Sequence, residues 1–324
     1  IMINGLLHAL VLDEKGGTRA VKSSEDLHNW QPEQGKLWVH MDYSQTDVVN
    51  WLKHCELLTD YELESFTADE TRPRITQSAN GHMLFLRGVN LNPAQSPEDM
   101  VSVRLFINEN IVITSRKRRL LSIDDVLNSL KDNKGPCSIS ELVCAITQKL
   151  TSRMQSVINS LDETLDGFEE EIDEPSKRFD NQALSQLRRQ TIALKRYLKP
   201  QKEALTTMVN GHYEWLLDDD KAKLNETTNL LIRYLEELDS SIERAQIIQQ
   251  TVTNHVSEQL NQRMYVMSVV AALFLPLGFL TGLLGVNVGG IPGTDNPYAF
   301  TLFIVFLVIL TGGIGVYFKN KKWL

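Results

Sequence analysis

The sequence predicts an α/β domain followed by a long α-helical hairpin, and then a stalk helix continuous with a two-helix transmembrane hairpin. Three observations carry that reading. Strand-like and helix-like segments alternate up to about residue 132; only helical periodicity follows from 138 onward; and two apolar segments without a charged residue, 264–284 and 298–318, stand near the end. The expected boundaries are 1–132 for the α/β domain, 133–263 for the helical hairpin and stalk, and 264–324 for the transmembrane domain with a short basic tail.

In the first part, strands are expected over 4–12, 36–41, 82–91, 100–107 and 111–115, all rich in Val, Ile, Leu and Phe, with Asn80-Gly81 as a hairpin turn. Residues 4–12 are too short to span a bilayer, with no basic residue before them and no small-residue cleavage site after, so they read as a first strand and not a signal peptide. Helices are expected over 46–57, 59–68 and 123–131, giving a mixed sheet. No glycine-rich phosphate loop, GxSxG elbow or HExxH motif is present, and nothing argues for catalysis.

Residues 138–171 read as one amphipathic helix, with Leu142, Ala145, Ile146, Leu150, Met154, Val157, Leu161, Leu165 and Phe168 recurring every three or four positions. It ends near Asp173-Glu174-Pro175, and a helix over 181–209 returns antiparallel to it, up to Asn210-Gly211. A third helix begins in Asp218-Asp219-Asp220, whose carboxylates suit the positive end of a helix dipole. Its stripe runs Leu224, Leu231, Leu235, Leu238, Ile242, Ala245, Ile248, Val252, Val256, Leu260, and no Pro or Gly interrupts it before Pro276. Stalk and first span are therefore expected as one rod of about 65 residues, roughly 100 Å long. Such a stripe needs neighbours, and other copies of the chain are natural candidates beside its own hairpin.

As a helix each apolar segment would measure about 31 Å, the thickness of a bilayer hydrocarbon core of about 30 Å. Lys319, Lys321 and Lys322 follow the second span and no basic residue lies between the spans, so both ends are expected in the cytoplasm. Residues 264–324 hold three Lys and one Asp; of the 33 basic and 41 acidic residues in the chain, 30 and 40 precede them, a net −10. That acidity disfavours a nucleic-acid partner, which needs clustered basic charge, and suits cations. Three cysteines, Cys55, Cys137 and Cys144, cannot all pair and none forms a CxxC, which fits reduced thiols in the cytosol.

Gly285-Val286-Asn287 sits where the first span ends. One reading is a plain turn; the other, if copies ring an axis, is a mouth of helix-end carbonyls and Asn287 oxygens that attracts a cation without trapping it. Gly278 and Gly282 form a small-xxx-small pair with Ala271 and Leu275 on roughly the same face, consistent with close helix packing or with a narrow lining constricted at Leu275. Pro276 removes a backbone donor from the rod. Neither span contains His or Cys, so a passing metal would meet only oxygen and apolar groups and would stay partly hydrated.

Other clusters have plainer readings. The acidic run Asp162, Glu163, Asp166, Glu169, Glu170, Glu171, Asp173, Glu174 reads first as a solvated helix face and second as a site that concentrates cations. Arg188, Arg189, Lys195, Arg196, Lys199 and Lys202 are expected to pair with it across the hairpin, with anion binding as the alternative. Arg116-Lys117-Arg118-Arg119 is too short for a binding patch. His54 and Cys55, adjacent on one helix, point apart and do not suggest a shared zinc site. His255, some two turns before the membrane, reads as an exposed helix residue.

Residues 275–287, Leu-Pro-Leu-Gly-Phe-Leu-Thr-Gly-Leu-Leu-Gly-Val-Asn, followed by a second span and a basic tail, resemble the CorA metal-ion transporter family, whose hallmark is Gly-Met-Asn at the end of the first of two spans. Val286 replaces that methionine. The glycine-rich loop 285–293 is similar to the ZntB branch, regarded as zinc transporters, as are Glu70-Thr71-Arg72-Pro73-Arg74, Arg188-Arg189-Gln190 and Arg196-Tyr197-Leu198. The resemblance implies a funnel-shaped homopentamer in a bacterial inner membrane. It further implies an outer selectivity ring of Gly285, Val286 and Asn287, and a pore lined by Met264, Met267, Ala271, Leu275, Gly278 and Gly282. The magnesium branch carries an acidic residue in a Met-Pro-Glu segment of the loop, where this chain offers only Asp295. The expected function is transport of a divalent cation, zinc first and magnesium, cobalt or nickel as alternatives, with the cation as cargo, no cofactor and no specific metal ligands assigned. The partners implied are sister subunits, membrane lipid and divalent cations. A membrane-anchored ion sensor or scaffold is the competing class, and an enzyme ranks third.

Overall fold

The computed structural model describes residues 3–172, 179–286, 290, 291, 293 and 295–320. They divide into two compact units, residues 1–249 and 250–324.

The first unit is built on a seven-stranded mixed sheet of β1 (Leu6–Leu12), β2 (Thr18–Ala20), β3 (Leu37–Asp42), β4 (Arg74–Ser78), β5 (Gly81–Gly88), β6 (Val101–Ile107) and β7 (Ile111–Arg116), in the order β2-β1-β3-β7-β6-β5-β4. Only β3 and β7 are parallel among the pairs in this sheet; the others are antiparallel. Successive side chains leave a strand on opposite faces, and here both faces are apolar. Trp38, Leu84, Leu86, Val103, Leu105, Ile107 and Val112 enter one core, and Leu37, Val39, Met83, Phe85, Phe106, Ile111 and Ile113 the other. Helices α1 (Ser24–His28), α2 (Thr46–His54) and α3 (Asp60–Thr67) supply apolar residues to the second core. The first core takes those of α4 (Leu121–Lys131), α5 (Ile139–Ser152), α6 (Met154–Ile172), α7 (Asn181–Asn210) and the early part of α8 (Asp218–Leu284).

The five expected strands and three expected helices of this region are present. Two further strands, β2 and β4, escaped sequence reasoning for one physical reason: they are the two edges of the sheet. An edge strand half open to water needs no apolar run, and Thr-Arg-Ala and Arg-Ile-Thr-Gln-Ser have none. The first strand starts at Leu6 and not at residue 4, because Gly5 takes φ +91°, where a Cβ would lie 2.6 Å from Gln45 Cγ. The β4–β5 hairpin turns on Ala79-Asn80. Gly81 is already in β5, and a Cβ there would lie 2.3 Å from the Ile107 carbonyl oxygen.

The single helix expected over 138–171 is instead two, α5 and α6, separated at Arg153. Ser138 caps α5 by accepting the Glu141 amide at 3.1 Å. At the break, Arg153 donates to both carboxylate oxygens of Asp125 on α4, at 2.6 and 2.7 Å. The expected pairing across the α6–α7 hairpin is also corrected. The acidic face of α6 is held by Arg244 of α8, which bridges Asp162 at 2.6 Å, Asp166 at 2.5 Å and Glu169 at 2.9 Å. Lys195 of the basic cluster pairs with Asp239 of α8. The end of the acidic run, Asp173 and Glu174, lies outside the described residues.

The long helix runs from the expected aspartates to Leu284. Leu224, Leu231, Leu238, Ala245, Ile248 and Val252 of its stripe are buried, whereas Val256 and Leu260 stand more than half exposed. The unit 250–324 consists, among the described residues, of the rest of α8, a short loop and α9 (Ala299–Asn320).

Candidate ion pathway

Two segments, within α8 and α9, are long and apolar enough to cross a membrane, and none of either apolar window is buried within the chain. Phe274, Leu275, Phe279 and Phe300 are each about two-thirds or more exposed. Apolar surface of that extent does not persist in water and requires lipid or other subunits over it. Three hydroxyls are satisfied within their own helices: Ser268 donates to the Met264 carbonyl at 2.8 Å, Thr281 to that of Leu277 at 2.9 Å, and Thr311 to that of Leu307 at 2.7 Å.

The six expected lining residues, Met264, Met267, Ala271, Leu275, Gly278 and Gly282, are spaced by 3, 4, 4, 3 and 4 positions along α8, within about 80° of arc at about 3.6 residues per turn. All six are exposed. The half-buried residues of the same segment, Val269, Ala272, Leu273, Pro276, Leu277 and Leu280, occupy the opposite side. α9 also carries a less exposed stripe, Ala299, Phe303, Leu307, Leu310, Thr311, Ile314, Gly315 and Phe318. Among the described residues each helix thus has one less exposed stripe, and the six expected lining residues of α8 lie on the side opposite its own. A Cβ added at Gly278 or Gly282 would meet nothing within 4 Å in the chain.

At the end of α8 the Gly285 amide donates to the Thr281 carbonyl at 2.9 Å, extending the helical ladder past Leu284. A Cβ on Gly285 would lie 2.8 Å from that same oxygen. Val286 is half exposed. Asn287, on which the selectivity reading rests, lies outside the described residues. Asp295 is exposed in the loop. Asn296 then caps α9: its Oδ1 accepts the Tyr298 amide at 2.9 Å and its carbonyl the Ala299 amide at 3.0 Å, with Pro297 between them.

In the α/β unit, no group of three or more His, Cys, Asp and Glu side chains is placed to hold a metal among the described residues. Burial pushes the Cys55 and Cys144 thiols up to about 12, and raises Cys137 as well, so none of the three favours the thiolate that binds zinc. His54 Nδ1 sits 2.6 Å from the Asn50 carbonyl, away from any shared site with Cys55. His255 is exposed. All four residues of the basic tetrad are engaged: Arg116 with His40, Lys117 with Asp69, Arg118 with Asp99 and Arg119 with Asp124. The fold does bring two of the sequence motifs together, since Glu70, Thr71 and Arg72 face Arg196 and Tyr197 across one pocket. Arg87 completes it; nothing in its local sequence marked it, because β5 alone does not reveal which helix covers it.

A family model described as CorA-like Mg2+ transporter protein matches residues 33–321. The zinc transport protein ZntB of Pectobacterium carotovorum is 35% identical over 321 residues, covering 99% of this chain and 97% of that one. The divalent cation transporter CmaX of Pseudomonas aeruginosa is 37% identical over 327 residues, with the same coverage of 99% and 97%. The solved structure of the full-length CmaX protein superposes with a TM-score of 0.85 at 34% identity, covering 98% of each chain.

Proposed function

We propose, from the premise that this chain belongs to the CorA family of metal-ion transporters and within it to the ZntB branch, that it carries zinc across a bacterial inner membrane. Members of this family are transporters and not enzymes, and divalent cations are their cargo. The full-length match to a protein named as a divalent cation transporter supports the same class of cargo without singling out zinc. Magnesium, cobalt or nickel is the alternative that follows from it.

One observation carries the mechanism. The α8 face of Met264, Met267, Ala271, Leu275, Gly278 and Gly282 is uncharged, exposed among the described residues and opposite the half-buried side of the same helix. In a homopentamer with five such faces around an axis, small residues leave width for a hydrated ion and Leu275 supplies an apolar constriction. A stripped divalent ion could not enter such a lining, because nothing there replaces its water. Asn287, with Gly285 and Val286, forms the outer ring in this reading, where neutral carbonyl oxygens and the negative end of the α8 dipole draw the ion through its water shell. Residues 1–132 and 133–263 form the cytoplasmic part and 264–324 the membrane part, with both termini in the cytoplasm.

Zinc uptake into proteoliposomes holding the purified chain tests this. Zinc flux that depends on Asn287 supports it; binding of zinc without flux would overturn it in favour of a membrane-anchored sensor. Flux under an imposed pH gradient of either sign decides whether protons are coupled to the ion.

A further inference from the structure

We propose that the pocket between the segment leading into β4, the end of β5 and the middle of α7 binds a phosphate-type oxyanion. Its lining is Glu70, Thr71, Arg72, Arg87, Arg196 and Tyr197, around a cavity of about 240 Å³. That is below the roughly 300 Å³ at which pockets for drug-sized ligands begin, and ample for a single phosphate group with water.

The charge of the pocket runs against its surroundings. Residues before 264 carry a net −10, yet three arginines and one glutamate converge here. Among the described residues Arg72, Arg87 and Arg196 form no salt bridge. Arg87 donates from Nε and Nη2 to the Thr71 carbonyl at 3.3 and 2.9 Å and from Nη1 to the Met100 carbonyl at 2.8 Å. Those partners are neutral, so they orient the guanidinium without neutralising it, and Glu70 is the one carboxylate of the pocket whose charge acts on it. Its backbone is held too, the Arg87 amide donating to Gln201 Oε1 at 2.7 Å. Tyr197 organises the pair: the guanidinium carbons of Arg87 and Arg196 lie 4.4 and 4.7 Å from its ring centroid, and Arg196 Nη2 donates to its hydroxyl at 2.7 Å.

Fixed guanidinium forks with N–H groups to spare match the bidentate geometry of phosphate oxygens better than that of a spherical ion such as chloride. The phosphate could be inorganic or part of a nucleotide, and the chemistry at the pocket is the same. The site lies in the α/β unit and is not required by any step of cation passage.

The test is isothermal titration of the full chain in detergent with inorganic phosphate and, separately, with ATP. Chloride buffer at fixed ionic strength and EDTA screen nonspecific charge and prevent metal phosphates. Binding of either probe is expected, and the tighter one identifies the source. Arg72→Gln with Arg196→Gln, both exposed positions, should weaken it at least about tenfold. Glu70→Gln should tighten it about threefold by removing the one like charge, a gain that misfolding would not produce. Failure of both probes to bind, or affinity unchanged in the double variant and in Glu70→Gln, overturns the proposal. Zinc flux does not enter the readout, so this outcome is separate from that of the transport reading.

Discussion

Arg116 donates from Nε to His40 Nε2 at 2.9 Å across the parallel pair β3–β7. The accepting Nε2 places the proton of the neutral imidazole on Nδ1, which lies 2.7 Å from Thr114 Oγ1. The same hydroxyl oxygen accepts from Trp38 Nε1 at 2.8 Å and donates to the Val39 carbonyl at 3.3 Å. Both ring nitrogens of His40 keep these hydrogen bonds only while the imidazole is uncharged, because a protonated Nε2 could not accept from Arg116. Burial, then the charges of Arg116 and His8, lower its pKa to about 3.

The consequence is a pH-dependent stability of the sheet. Unfolded, the imidazole titrates near its ordinary value of about 6.5. Between there and about pH 3 the unfolded chain binds a proton that the native one refuses, so stability is full above about pH 6.5 and falls as pH drops. The loss attributable to His40 is about 2 kcal/mol between pH 6.5 and pH 5. Denaturant melts should show His40→Asn less stable at pH 7 and flatter with pH than the parent; equal slopes would assign the pH dependence to other groups.

On the proposed reading, Asn287→Ala should lower zinc flux in proteoliposomes about tenfold or more, the scale of losing one or two hydrogen bonds to a hydrated cation. Melting of the α/β unit should not move. Intact flux would remove Asn287 from the path.

Gly282→Leu adds a side chain where a Cβ would meet nothing within 4 Å among the described residues. On the proposed reading the added side chain meets a neighbouring subunit or the ion path. The variant should fold with an unchanged melting temperature of the α/β unit and lose most of its flux or its oligomeric mass, read by light scattering in detergent. Full flux with full assembly would place this face toward lipid.

Gly285→Ala is a different case, because its Cβ would lie 2.8 Å from the Thr281 carbonyl within the last helical turn. The helix end must shift, and on the proposed reading the outer ring shifts with it. Flux should fall severalfold while assembly is kept, and a variant indistinguishable from the parent would show that the mouth tolerates the shift.

Arg244→Ala leaves Asp162, Asp166 and Glu169 facing one another without their cation. These carboxylates are about half exposed, so the loss should be about 1 kcal/mol and should shrink in high salt. A salt-independent loss of several kcal/mol would mean that packing and not charge is at stake.

What the sequence determined by itself was whatever local periodicity and length encode. The two spans, the helices α7 and α8 to within a residue or two, and five of the seven strands follow from apolar spacing, and the family follows from the segment around Gly285-Val286-Asn287. The common face of the lining residues is also legible, because a helix repeats about every 3.6 residues whatever surrounds it. Tertiary structure decided the rest. It showed that this face is exposed while the opposite side of α8 is half-buried, and it placed the polar edge strands β2 and β4, which carry no apolar signal. It sent the acidic face of α6 to Arg244, 82 residues from Asp162, and closed a basic pocket in which the Arg87 amide meets Gln201, 114 residues away. Charges and hydrogen bonds act across a few ångströms of space, and no spacing along the chain records which distant segment the packing of two apolar cores will bring that close.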